Sequence, residues 1–396
     1  MMSVWSSLVG QEAAVAKLSD AAASARAIVA SRGGRASDEA RSMSHAWLIT
    51  GPPGSGRSVA ARAFAAALQC TGETPGCGAC PGCRTTMART NADVVFAATE
   101  TSIINVDTAR SLVLQAQSSP SQGLWRVIVV EDADRLGESG ANALLKAIEE
   151  PPEHTVWLLC APSPEDMIAT IRSRCRHLGL RIPTAAAVAD LLVREGVATP
   201  DVALDAARAA QSHIGLARAL ARDPQMRERR RAIITAPASV RSVGEAVMAA
   251  DRLLETAKAQ ADAQVSERNA REKAELLRQL GMEEGESATK ASRTMIRQLE
   301  EDQKRRSKRA LTDAIDRALI DLLAIYRDVL MVQVGGDGEL INTDLSDLVH
   351  EIAQDSTPRQ TLARVDHIET ARRRLIANGN PLLVLEDMAI SLRPQA

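Results

Sequence analysis

The chain has almost no aromatic side chains: four Trp, one Tyr and two Phe make up 2% of its 396 residues. A core without large rings must be filled by Ala, Leu and Val, the composition of an all-helical or helix-rich α/β protein. Also absent is any stretch approaching the roughly eighteen uncharged apolar residues of a membrane span. The first residues, Met1-Met2-Ser3-Val4-Trp5, contain no basic segment followed by an apolar run, so a cytoplasmic protein with no membrane partner is expected. An excess of either charge is missing too. With a formal net charge of −2, any contact with DNA has to come from a local patch.

What is present is a chain of 45% hydrophobic residues, long enough for two or three domains. Between residues 44 and 180 short apolar runs alternate with helical patterns. His45–Thr50 ends in a glycine-rich turn, Trp125–Val130 ends in acids, and Thr155–Cys160 ends at Ala161-Pro162. Such strands separated by helices predict a parallel sheet covered on both faces. Past Pro183 the strand signal stops, and Ala185–Arg222 reads as short helices broken near Gly196, Pro200 and Gly215. A further helical region starts near Pro237. Within it Thr256–Arg309 mixes acids and bases around a Gly281/Gly285 break, the pattern of a solvated helical hairpin, and Ala310–Val334 reads as a core helix. Ser31–Asp38, rich in Gly, Ser and Arg, reads as a mobile loop.

Gly51-Pro52-Pro53-Gly54-Ser55-Gly56-Arg57-Ser58 follows a predicted strand and opens a predicted helix, the setting of a phosphate-binding P-loop. The glycines let backbone N–H groups face an anion, and the helix N-terminus adds its dipole. Arg57 stands where such a loop uses Lys, and a planar fork does not replace a compact ammonium. Ser58 remains as a magnesium ligand. After the strand at Val127–Val130 the acids come as Glu131 then Asp132, the reverse of the usual Asp then Glu, which displaces both carboxylates. Shifts of about an ångström can cost on the order of a hundredfold in rate. These changes point to a site that does not hydrolyse ATP, with nucleotide binding left open.

Two more clusters carry chemistry. Ser173-Arg174-Cys175 closes a helical turn, where a fixed Arg could reach the γ-phosphate of a neighbouring subunit; the spacing equally allows Arg172, Arg174 and Arg176 to pair with local acids or water. Cys70, Cys77, Cys80 and Cys83, threaded with glycines, can surround one tetrahedral ion. Zinc is favoured over iron–sulfur because the loop is glycine-rich and nothing else suggests electron transfer, and with no open coordination position left the ion is expected to be structural.

In this order the motifs resemble the bacterial clamp-loader branch of the AAA+ family. The resemblance rests on Trp5–Gln11, His45–Ser58, the cysteine module, Val106-Asp107 ahead of Arg110, Asn142–Pro152, Ser173–Cys175 and Gly215–Arg218, and more loosely on Asn378–Glu386. Within the family, motor subunits keep the P-loop Lys and the Asp-Glu pair. The delta prime branch keeps Ser-Arg-Cys while its nucleotide site decays, and this chain has the second pattern. Cys160–Ser163 also lacks the Thr or Asn of the family's sensor 1. The resemblance implies a RecA-like AAA+ module at 1–180 with a zinc module at 70–83, a helical lid at 181–236, and an all-α collar at 237–396 with a charged helical insertion at about 256–309. It implies that Arg174, flanked by Ser173 and Cys175, is an arginine finger completing the ATP/Mg²⁺ site of an adjacent motor subunit, and that Arg218 is sensor 2. The implied partners are gamma/tau motor subunits, a delta subunit, the sliding clamp and primer–template DNA. An active AAA+ ATPase and a direct DNA-binding protein are the alternatives.

Overall fold

The computed structural model of the chain describes residues 3–31, 42–97, 104–240, 242–281 and 290–393. Most of the expected loop at 31–38, and the residues following Gly281, lie outside the described residues. The chain divides into two compact units, Met1–Ala221 and Arg222–Ala396.

In the first unit, β1 (Ala46–Thr50), β2 (Val94–Ala97), β3 (Arg126–Val130), β4 (Thr155–Ala161) and β5 (Arg176–Gly179) form one parallel sheet in the order β2-β3-β4-β1-β5. This is the sheet expected of a RecA-like AAA+ module. Every residue of β1 and β4 is buried, which is why both read as unbroken apolar runs rather than as alternation. Helices α1 (Glu12–Ala30), α2 (Arg57–Leu68), α3 (Pro81–Met87), α4 (Val106–Ala116), α5 (Glu138–Glu149) and α6 (Ala169–Arg172) connect and cover the strands. Ala60, Ala61, Ala63 and Ala65–Ala67 of α2 are buried, and their small side chains let the helix lie close to the sheet; Phe64 meets Trp47 edge-on with ring centroids 5.3 Å apart. The chain then forms α7 (Ala185–Arg194), α8 (Pro200–Ala209) and α9 (Ile214–Arg222); Gly196 lies in the first break and Pro200 opens α8, whereas the second break falls at residues 210–213 and Gly215 lies inside α9.

The second unit is helical: α10 (Pro224–Ser239), α11 (Val243–Gln279), α12 (Lys290–Gln333), α13 (Ser346–Gln354), α14 (Pro358–Ile376) and α15 (Pro381–Ser391). Leu319, Leu322, Ile325, Val329, Val349, Ile368 and Leu385 make its centre. Within the charged stretch at 256–309, Ala257 still belongs to that core, and Ala261 and Val265 of α11 form a small separate cluster with Ala310 of α12. These helices pack on one another, and Arg306 of α12 reaches Asn269 at 2.7 Å and Glu272 at 2.8 Å on α11. A buried polar network fixes the base: Arg230 donates to Asp321 at 2.9 Å and Asn342 at 2.6 Å, while Asn342 donates to Asp328 through its side chain at 2.9 Å.

Asp93, buried just ahead of β2, is the pin that sets the loop before β3. Its carboxylate accepts from the backbone N–H groups of Ser121 (2.6 Å), Gln122 (2.7 Å) and Gly123 (2.6 Å) and from the Ser121 hydroxyl (3.0 Å). Burial pushes its pKa up, but these donors outweigh burial and hold it below the usual carboxylate range. A depressed folded pKa stabilises above the unfolded value, near 3.9, and that contribution is lost as pH falls through the folded value. Asp93→Asn is therefore expected to cost about 2 kcal/mol at neutral pH and to flatten the acid limb of the stability profile. Denaturant melts between about pH 5 and pH 3 check this; equal slopes for the two proteins would contradict it.

Candidate functional site

The sheet delivers its chemistry at the carboxyl ends of β1, β3 and β4. The phosphate loop leaves β1 and turns into α2, with Gly54 at φ +90° and Gly56, the N-cap of α2, at φ +89°. Gly54 also lies under the backbone of His213, whose Cα is 3.0 Å from where a Cβ would stand. Gln11 ties the loop to the chain leaving β5: its side-chain amide donates to the carbonyls of Ser55 (3.3 Å) and Arg181 (2.5 Å) and accepts from the Arg181 N–H (3.2 Å). That is the structural role of the segment Trp5–Gln11. Arg57 and Ser58 open α2, and the Arg57 guanidinium donates back to the Gly51 carbonyl of the same loop.

Across the site Glu131 follows β3 and accepts from Arg89 Nη2 at 2.6 Å, and Asp132 comes next. Cys160 in β4 belongs to the same neighbourhood. Burial first, then the charge of Glu131, push its thiol up to about 12, so it stays neutral and apolar. Arg57, Glu131 and Asp132 all act electrostatically on Cys160, which shows how the strand ends converge. Arg218 does not join them. It makes a two-pronged pair with Glu195 at the end of α7, at 2.9 Å for each contact.

The Ser-Arg-Cys turn connects α6 to β5. Ser173 Oγ donates to the Thr170 carbonyl at 3.1 Å, and the half-buried Cys175 packs beside the core under α5, where burial pushes its thiol up to about 12. Between them Arg174 projects at the surface, 38% exposed; it pairs with Glu149 at the end of α5 and donates to the Thr170 carbonyl at 2.9 Å. A surface pair of this kind contributes roughly 0 to 1 kcal/mol, so it holds the guanidinium without trapping it. Arg172 and Arg176 bond to the carbonyls of Pro164 and Ser42, and Arg176 also lies 5.0 Å over the Trp47 ring.

The four cysteines come together as the sequence predicts, with sulfurs all within 4.8 Å of one another; Cys70 and Cys83 are buried, Cys77 and Cys80 half-buried. Cys80 and Cys70 sulfurs stand 3.8 Å apart, the edge of a tetrahedron with bonds of about 2.3 Å. Cys80 caps α3 and accepts from the Cys83 N–H at 3.4 Å; burial raises its pKa, but backbone donors at Cys83 and Thr71 bring it down to about 6. A thiolate in that position fits a metal ion, and the group could hold one. Gly76 lets the N-terminal turn dock on this module: a Cβ there would stand 2.7 Å from Trp5 Nε1, and Val4 donates to the Gly76 carbonyl at 3.0 Å.

Three partners of the predicted residues went unforeseen: Arg89 on Glu131, Glu149 on Arg174 and Glu195 on Arg218. Each lies far along the chain from its mate, and although Glu149 falls in the string Asn142–Pro152, no local spacing marks any of the three as a partner.

Residues 35–184 match the family described as DNA polymerase III, delta subunit. Among curated proteins the chain is 36% identical to the DNA polymerase III subunit delta' of Pseudomonas aeruginosa over 161 residues, 40% of this chain and 48% of that protein. It is 35% identical to the subunit gamma/tau of Mycobacterium tuberculosis over 170 residues, 41% of this chain and 29% of that protein. The chain thus spans half or less of the length of these relatives. A DNA polymerase III gamma subunit-related protein of Thermotoga maritima has a similar structure at TM-score 0.43 and 17% identity, covering 88% of this chain and 93% of that one. Residues 35–184 are thus similar to subunits of the DNA polymerase III clamp loader. Within it the relatives carry both subunit names, delta' and gamma/tau. No helix among the described residues is long and apolar enough to cross a membrane.

Because four ligands close one ion, purified protein is expected to contain about one metal ion per chain, and Cys80→Ser to lose it and loosen residues 70–83 first. Metal analysis combined with hydrogen exchange over that segment checks this, and a folded, reduced, metal-free preparation would contradict it.

Proposed function

We propose that this chain is a delta prime, non-motor subunit of a bacterial clamp loader: it closes the ATP site of a neighbouring motor subunit with Arg174 and does not hydrolyse ATP itself. The observation that carries the reading is the pairing, in one chain, of an exposed arginine on a Ser-Arg-Cys turn with a phosphate loop whose own arginine turns inward. Arg174 is held at its base by Ser173 and Cys175 and only lightly by Glu149. Its planar fork suits the charge that spreads over the γ-phosphoryl oxygens during transfer. In the chain's own loop, Gly51, Gly54 and Gly56 keep the shape of a phosphate cradle, while Arg57 bonds to Gly51, Glu131 to Arg89 and Arg218 to Glu195. Three of the charged groups assigned to a nucleotide or its magnesium thus already have a protein partner.

In this reading the metal of Cys70, Cys77, Cys80 and Cys83 is zinc, with a structural role. Residues 237–396 form the collar, residues 181–236 the lid, and the assembly joins gamma/tau motor subunits and a delta subunit to load the sliding clamp on primer–template DNA. The similarity to gamma/tau proteins is what favours the second reading, an active ATPase. Steady-state hydrolysis by the isolated chain separates the two, and we expect none above background.

The finger is tested in complexes reconstituted with wild-type, Arg174→Ala or Arg172→Ala chains, with assembly verified by size. Fingers contribute about 10³ to 10⁵ at a single site. The whole-complex loss is expected to be smaller, since motor–motor sites carry their own fingers, while clamp loading falls more steeply. Arg174→Lys should rescue little, and Arg172→Ala should be mild. Arg174→Ala complexes that assemble and hydrolyse ATP as wild type does would remove the finger assignment. Arg57→Ala is expected to leave the complex's ATPase within about twofold of wild type; a large loss would favour the active-ATPase reading.

A further inference from the structure

The chain's own nucleotide site already contains a cation. Arg89 lies two residues past the end of α3, and its φ of +61° is a backbone conformation that L residues other than Gly, Asn and Asp seldom adopt. The surrounding turn holds it there: the Arg89 N–H donates to the Thr86 carbonyl at 3.0 Å, the Thr90 N–H to the Thr85 carbonyl at 2.9 Å, and Asn91 Nδ2 to Thr85 Oγ1 at 3.0 Å. From this turn the side chain crosses the face of Phe96 on β2, its guanidinium carbon 5.0 Å from the ring centroid, and reaches Glu131 Oε1 at 2.6 Å. Glu131 cannot swing away easily, because its N–H extends the β2–β3 ladder to the Ala97 carbonyl at 3.0 Å and its side chain is only 13% exposed.

A second guanidinium stands nearby. Arg62 of α2 is close enough to Arg89 and Glu131 for both charges to act on it, and its Nε is buried without a hydrogen-bond partner among the described residues. Glu131 thus faces positive charge from both α2 and the turn after α3. A magnesium ion in a phosphate loop depends on a carboxylate at this strand end to hold it, directly or through water, and on the absence of competing positive charge. The residues present do not fit that requirement. The Glu in place of Asp now has a physical consequence: its extra methylene carries the carboxylate to Arg89.

We propose that Arg89 is the resident counter-ion of Glu131 and excludes a magnesium–nucleotide complex from this chain's own site. This rests on the reading of that site as inert and names the residue that keeps it so. Arg89 is a positioning residue with respect to Glu131. The cysteine module sets it, since Cys80 and Cys83 fix the N-terminus of a helix only seven residues long and Arg89 sits just beyond the other end.

The test uses the full chain with Mn²⁺ as a spectroscopic stand-in for Mg²⁺, followed by electron paramagnetic resonance in the presence of ATP, alongside a fluorescent ATP analogue. Compared are wild type, Arg89→Ala, Arg89→Lys, the double variant Arg89→Ala/Glu131→Gln, and Arg84→Ala as an exposed control on α3. Metal content of the cysteine module and melting temperature verify that each is folded. Arg89→Ala is expected to bind Mn²⁺–ATP at least about tenfold more tightly than wild type, since about 1.4 kcal/mol of relieved repulsion is one decade. Arg89→Lys should stay near wild type, the double variant should lose the gain, and Arg84→Ala should not change. Folded Arg89→Ala that binds no better than wild type overturns the proposal while leaving the inert-site reading in place. Tight Mn²⁺–ATP binding by wild type also overturns the proposal, and the inert-site reading falls only if that bound ATP is turned over.

Discussion

Because β1 is hydrogen-bonded on one side to β4 and on the other to β5, its carboxyl end cannot shift without breaking two parallel ladders. That constraint positions the candidate site residues of the first unit. The phosphate loop starts where β1 ends, Cys160 lies beside it on β4, Glu131 follows β3 one strand further on, and β5 begins immediately after the Ser-Arg-Cys turn. Gln11 adds a clamp between the loop and the chain leaving β5, so the two arginine-bearing segments, at Arg57 and Arg174, hang from one rigid edge. The burial of every residue in β1 and β4 is what makes that edge rigid.

Legibility in the sequence followed burial. Strands β1, β3 and β4 were readable because central parallel strands are apolar on both faces. β5, Arg-His-Leu-Gly, has only Leu178 buried, and β2 has only Val94 buried, so neither edge strand leaves a run to detect. The glycine loop, the four cysteines and the Ser-Arg-Cys turn were readable because each is compact along the chain. What holds them was not. Arg89 meets Glu131 across 42 positions, Arg174 meets Glu149 across 25, and Arg218 meets Glu195 across 23. Such pairs are set by how elements pack, and a single sequence carries no mark of them.

Placement of arginines links these observations to function. Arg57 and Arg89 bond to groups of the same chain at the phosphate loop and the end of β3, and Arg218 to Glu195 at the end of α7, whereas Arg174 stands at the surface on a turn braced from below. In the proposed reading, Arg57 and Arg89 spend their charge within the chain while Arg174 is held lightly at the surface. Such an arrangement suits a subunit whose contribution to phosphoryl transfer is made at a neighbour's site, with the four-cysteine module stiffening the turn that carries Arg89.

The most direct test of this account is the subunit composition and nucleotide occupancy of the complex containing this chain, purified from its host. The account predicts gamma/tau-type and delta subunits in that complex, with bound nucleotide assigned to the motor subunits and none retained by this chain after it is separated from them. Recovery of the chain outside any such complex, or with its own nucleotide bound and turned over, would contradict it.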